Sequence, residues 1–203
     1  MGVVAKDRKS KKRCQIMEAA TALFMQKGLE NTSMDEVAEH AGVSKQTVYS
    51  HFGSKNDLFV HCIEDRCVSS QMTAESFQLD AEPEPLLLDF SHRFLEMILS
   101  PEVRHVFCSC VRCAESHPEL SSLYYEAGPK RMLEIVSGYL HRLNEAGVLV
   151  IPNITFAAQQ LLLMLHSLDK MRGDLGLAHV MGQQERKAYA EQTVAMFLKG
   201  YRP

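Results

Sequence analysis

The sequence predicts an all-α fold of about nine helices: a three-helix N-terminal domain built around a helix-turn-helix, followed by a larger helical domain. Three observations predict it. Apolar residues recur at helical spacing in almost every segment, whereas no segment alternates convincingly as a strand does. The segments are punctuated by helix-end signals, with Ser, Asp and Asn at starts, Pro in first turns and Gly at stops. The chain of 203 residues is 46% hydrophobic, enough for one large or two small cores.

Residues 12–27 place Ile16, Ala19, Ala20, Leu23 and Phe24 on one face, with Gly28 as the stop. Ser33-Met34-Asp35-Glu36 reads as a capping box that opens a short helix to about His40. Ala41-Gly42-Val43 is a tight turn, and Ser44 caps a second short helix over 45–51. Ser54-Lys55-Asn56-Asp57 starts a long helix, expected to reach about Ser76. After the Pro-rich loop at 80–85, helices are expected at 86–99, 102–115, 119–146 (with a break at Gly128-Pro129), 154–171 and 183–199.

Charge and composition narrow the class. Residues 1–13 hold Lys6, Arg8, Lys9, Lys11, Lys12 and Arg13 against Asp7, a net +5, which leaves −8 for the other 190 residues of a chain whose total is −3. A basic arm ahead of an acidic body suits a local polyanion contact. No apolar run reaches the ~20 residues of a membrane span, and no export signal is evident, so a cytoplasmic protein without a membrane partner is expected. Gly-rich phosphate loops, nucleophile elbows and zinc-protease pairs are missing. Asp89-Phe90-Ser91-His92 places acid, hydroxyl and imidazole on one helix without a shared centre. No enzyme, cofactor or metal is expected.

Two short helices joined by a Gly turn form a helix-turn-helix, and residues 12–27 supply the third side of its core. Val37, Ala38, Val43 and Val48 lock the pair, with Leu23 and Phe24 beneath. The second helix then enters the major groove of duplex DNA. Lys45 and Gln46, at its start, face base edges, where Lys suits guanine and Gln suits adenine. Thr47 and Tyr49 suit phosphates. Lys55, at the start of the next helix, suits a phosphate as well. Ser33, Ser44, Ser50 and His51 complete the DNA-facing set, and the basic arm could follow the backbone or the minor groove.

From Thr32 to Phe59, the run Thr-Ser-Met-Asp-Glu-Val-Ala-Glu-His-Ala-Gly-Val-Ser-Lys-Gln-Thr-Val-Tyr-Ser-His-Phe-Gly-Ser-Lys-Asn-Asp-Leu-Phe resembles the signature of the TetR/AcrR family of bacterial transcriptional regulators, as does the Ala20, Leu23-Phe24, Gly28 spacing. The resemblance covers residues 12–60. Gln46 departs from it, since the family commonly carries Gly, Pro or another small residue there. By resemblance, Tyr49 and Lys55 occupy phosphate-contacting positions, and Lys45 and Thr47 lie near the backbone and base edges. Pro101-Glu102-Val103, His117-Pro118-Glu119-Leu120 and Tyr125-Glu126-Ala127-Gly128-Pro129 resemble an AcrR-like subgroup.

The resemblance implies a homodimeric repressor on a palindromic operator, released by a small apolar or amphipathic inducer. It implies a flexible arm at 1–11, a DNA-binding domain at 12–58 and a ligand-binding and dimerisation domain at 59–203. Phe77, Phe90, Phe94, Met97, Phe107, Met132 and Tyr139 are pocket candidates. Phe156, Leu161, Met164, Leu165, Leu168, Tyr189, Val194 and Phe197 are dimer candidates. Two readings stay open: an activator of the same fold, and an oxidant sensor using Cys108, Cys110 or Cys113. Those thiols also read as small core residues. A metal site there is disfavoured, because one continuous helix aims only Cys110 and Cys113 to the same side.

Overall fold

The computed structural model describes the backbone of residues 2–77, 82–178 and 181–203, with side chains from residue 11 onward. The side chains of residues 1–10, within the predicted arm at 1–11, lie outside the described residues. Every element is helical among them: α1 (Gly2–Lys27), α2 (Met34–His40), α3 (Lys45–Phe52), α4 (Lys55–Ser69), α5 (Pro83–Ile98), α6 (Pro101–Arg112), α7 (Pro118–Tyr125), α8 (Arg131–Glu145), α9 (Ile154–Asp174) and α10 (Gln183–Tyr201). A π turn at Glu126–Lys130, which contains Pro129, joins α7 to α8 without a gap, so the α-helices form nine continuous runs among the described residues, beside one short 3-10 turn at Ala74–Ser76. None of the described helices is long and apolar enough to cross a membrane.

The chain folds as two compact units, residues 1–66 with 105–127, and residues 67–104 with 128–203. The first has a core of Ile16, Ala20, Leu23 and Phe24 from α1, Val37 and Ala38 from α2, Val48 and Phe52 from α3, and Leu58 and Phe59 from α4. Phe24 and Phe59 meet edge to face at 5.5 Å, a favoured aromatic geometry. Cys110 and Leu120 join this core.

In the second unit α5 packs on α9 and α10, and α8 packs on α9. Its core holds Leu87, Phe90, Phe94, Tyr139, Leu140, Leu161, Leu165, Val194 and Phe197. Within α9, Ser167 adopts φ +53° and ψ 163°, a strained conformation for a residue with a side chain. Its hydroxyl accepts from the Lys170 N–H at 3.4 Å and restarts the helix. The kink turns Asp169 and Lys170 inward, where Asp169 lies 3.9 Å from Arg186 and Lys170 bonds Asp174.

Two boundaries differ plainly from expectation. The first helix, expected from residue 12 behind a flexible arm at 1–11, begins at Gly2, so the backbone of the arm continues the helix. The helix predicted to reach Ser76 ends at Ser69, because Gln71 takes φ +55°. The Met72 N–H then bonds the Cys67 carbonyl, and the Gln71 N–H bonds the Val68 carbonyl, both at 2.8 Å. Together these bonds make a Schellman stop. With Gln in place of the usual Gly, nothing in the local sequence announces it.

Candidate nucleic-acid interface

The helix-turn-helix is built from its ends. Ser33 Oγ accepts from the Glu36 N–H at 3.2 Å, and the Glu36 carboxylate accepts from the Ser33 N–H at 3.0 Å, the reciprocal capping box. Lys27 lies 2.5 Å from the same carboxylate. Lys27 first, and then the Ser33 N–H and hydroxyl, hold the Glu36 carboxyl down to about 2.

At the other end of α2, Gly42 takes φ +63°, a region closed to most side chains. The Val43 N–H bonds the Ala38 carbonyl at 3.0 Å, and the Gly42 N–H bonds the Glu39 carbonyl at 3.1 Å. This second Schellman stop aims the chain into the next helix. Ser44 caps α3 by accepting from the Thr47 N–H at 3.2 Å.

These caps fix which face of α3 is free. Val48 and Phe52 are buried, while Lys45, Gln46, Tyr49 and Ser50 are exposed. Gln46 and Tyr49, three apart, stand on one side. The Lys45 ammonium lies 2.7 Å from Asp35 of α2, and that contact raises its pKa above the ordinary lysine value. The Thr47 hydroxyl bonds Ser44 Oγ at 2.8 Å, and Ser50 Oγ donates to the Thr47 carbonyl at 2.9 Å. His51 is half-buried, its ring 6.1 Å from that of Phe52. Ser33 and Ser44 sit at the helix starts with their hydroxyls exposed.

Lys55, expected from the sequence to suit a phosphate, has partners within the chain. Its ammonium donates to the carbonyls of Leu29 (2.9 Å), Thr32 (3.0 Å) and Glu30 (3.4 Å). An ammonium has three N–H donors, and in this conformation all three are used within the protein. Arg13, counted among the basic residues of the N-terminus, lies over the Phe52 ring at 4.7 Å. It closes the end of α3 by a cation–π contact, a role that helical spacing alone does not reveal.

The other candidate residues divide between the units. Phe77, Phe90, Phe94, Met97, Met132 and Tyr139 all lie in the core of the second unit. The Phe77 ring stacks on Tyr139 at 4.3 Å and lies 5.2 Å from Phe90. Burial pushes the Tyr139 phenol up to about 12. Phe107 is not with them. It belongs to the first unit, with its ring 6.1 Å from Tyr124. Of the dimer candidates, Leu161, Leu165, Val194 and Phe197 are buried within their own chain, and Tyr189 donates its hydroxyl to the Met164 carbonyl at 2.7 Å. Phe156 and Leu168 are 60% and 75% exposed, as are Leu163, Met171, Leu175 and Met196 to a similar degree. These four had no mark in the sequence, because exposure of an apolar residue in a mixed helix depends on which face the neighbours take.

Among the thiols, burial pushes Cys110 up to about 11, and a hydrogen bond to Glu30 raises Cys113. No group of three or more His, Cys, Asp or Glu among the described residues is placed to hold a metal ion.

A capped α2, a Gly turn and an α3 with a polar outer face define a DNA-binding regulator of the helix-turn-helix class. Comparison with known proteins narrows the class. Residues 16–62 match the profile of bacterial regulatory proteins of the tetR family, and residues 85–203 match that of the AefR-like transcriptional repressor C-terminal domain. The chain belongs to the TetR family. It is similar to the HTH-type transcriptional regulator YfiR of Bacillus subtilis, with 41% identity over 61 residues, 30% of each chain. The chain spans about a third or less of the length of the curated relatives it matches first. Among solved structures, a TetR-family regulator from Mesorhizobium loti superposes with a TM-score of 0.80 at 28% identity, covering 97% of this chain and 99% of that one. The flavonoid-responsive regulator FrrA superposes with a TM-score of 0.75 at 29% identity, covering 96% and 98%.

Proposed function

We propose that this protein is a cytoplasmic homodimeric repressor that binds a palindromic operator through α3 and leaves it when a small apolar or amphipathic molecule binds the C-terminal domain. The observation that carries the DNA-binding part is the outer face of α3, where Lys45, Gln46 and Tyr49 stand exposed on a helix whose inner face is locked by Val48 and Phe52. Lys45 and Gln46 read base edges, while Thr47, Tyr49, Ser50 and His51 approach the backbone. Ser33 and Ser44 add hydroxyls at two helix starts that suit phosphates. Lys55 is better read as the staple of the 29–32 loop than as a phosphate contact, because its three donors are occupied.

Dimerisation through α9 and α10 is supported by the exposed Phe156, Leu163, Leu168 and Met171 on α9 and Met196 on α10, an apolar set of the kind that marks an interface. Action as a repressor rests on the match of residues 85–203 to an AefR-like repressor domain, and placement with the AcrR-like regulators on the 42% identity over 57 residues with AcrR of Shigella flexneri. The inducer class rests on the buried aromatic cluster of Phe77, Phe90 and Tyr139, and on the flavonoid response of the similar FrrA. An oxidant-sensing role for Cys110 or Cys113 finds no support in thiols whose pKa values are raised, since the thiolate is the reactive form.

Genome-wide footprinting with the purified protein, together with sedimentation at operator-binding concentrations, tests the reading. A short palindrome protected by a dimer is expected. Sequence-independent, salt-sensitive coating of DNA would overturn it.

A further inference from the structure

A cavity of about 260 Å³ lies in the first compact unit, and none of the pocket candidates named from the sequence lines it. Its floor is apolar, formed by Phe24, Leu29, Phe59, Val106 and Leu120. Its rim is charged, and the charges are unequally matched. Lys27 pairs with Glu36 at 2.5 Å. Glu30 meets His117 at 3.2 Å and accepts from the Cys113 thiol at 3.0 Å. Arg112 makes one hydrogen bond, to Ser109 Oγ at 3.1 Å, and is exposed, with no carboxylate partner among the described residues. A guanidinium carries five donors in a fork that fits a carboxylate.

We propose that this cavity is an effector site that takes a small monocarboxylate, with its apolar body on the floor and its carboxylate on Arg112. The volume lies just below the ~300–1,000 Å³ usual for ligand pockets, so the site fits an acid of the size of hexanoate or benzoate. One wall of the cavity is the Lys27–Asn31 segment. This segment runs into the Ser33 cap of α2, and Lys55 holds its carbonyls. An occupant therefore presses on the loop that seats the helix-turn-helix, and operator affinity changes.

Calorimetric titration of the full-length protein with hexanoate and benzoate, against hexanamide and benzamide, tests the site. Saturable binding of the acids is expected, with the amides and the Arg112→Gln variant each weaker by about tenfold, the loss of one charge-assisted contact. Val106→Trp, which fills the cavity, should abolish binding while circular dichroism shows an intact fold. Absence of saturable binding, equal binding of acid and amide, or retention in Arg112→Gln overturns the proposal, as does loss only in a Phe94→Ala variant of the second unit. A gel shift with bound acid must also show altered operator affinity, and unchanged affinity overturns the effector role. A protein that binds the acids but no operator contradicts the DNA-binding function instead, and leaves the site standing.

Discussion

The Lys45 ammonium of α3 lies 2.7 Å from the Asp35 carboxylate of α2, so the two short helices of the helix-turn-helix are joined by a surface ion pair. Both side chains are more than half exposed, and a pair of that kind contributes little to stability. If Lys45 contacts DNA as proposed, it must leave Asp35 to reach a base or phosphate, and the effect of the pair falls on binding. Asp35→Asn should therefore raise operator affinity by about three- to tenfold at low salt, with little change in melting temperature. Fluorescence anisotropy across a salt series is the measurement. An unchanged or lower affinity would show that Lys45 keeps its partner in the complex.

Gln46 is exposed at the start of α3, on the side shared with Tyr49. Gln46→Ala should relax preference at one base pair per half-site, at a cost of about 1–3 kcal/mol there, and leave other positions unaffected. Selection of bound sequences from a randomised operator library reads this directly. A uniform loss across all sites would make Gln46 a backbone contact.

Lys55 holds three carbonyls of the loop between α1 and α2. Lys55→Ala should cost about 1.5–3 kcal/mol of stability, the range for hydrogen bonds to a charged group, visible in the denaturant midpoint. The slope of operator affinity against salt should stay as in the wild type. A slope reduced by about one unit, with stability unchanged, would restore Lys55 to the phosphate set.

Glu36 has a carboxyl held at about 2, against an ordinary value of 4.5, by Lys27 and the Ser33 cap. The folded value lies below the unfolded one, so its contribution to stability is complete above about pH 4.5 and is lost as the pH falls through 2. Glu36→Gln should flatten the pH dependence of the melting temperature between pH 4.5 and 2. A profile identical to that of the wild type would show that other carboxylates govern acid unfolding.

The helix-turn-helix was legible because its instructions are local. Ser33 with Glu36, Gly42, and Ser44 each fix a helix end through bonds spanning a few residues. The inward positions Val37, Ala38 and Val48 follow from helical period, and all three are buried. Two backbone breaks lack the residue that usually marks them. Gln71 ends α4 with a left-handed backbone that a Gly would have announced, and Ser167 kinks α9 without any breaker in the sequence.

The sequence by itself determined that the chain is helical, where α2 and α3 begin and end, and which side chains α3 turns outward. Those outcomes depend on hydrogen bonds and periodicities within a few turns. Only the tertiary structure decided that Lys55 reaches back to carbonyls 23–26 positions earlier and that Arg13 covers Phe52. It likewise placed Phe107 with Tyr124 and left Phe156 and Leu168 outward while Leu161 and Leu165 turned in. The physical reason is one of range. A cap is satisfied within its own turn, whereas the partner of a long cation and the buried face of a mixed helix are chosen by which distant segments fold against them.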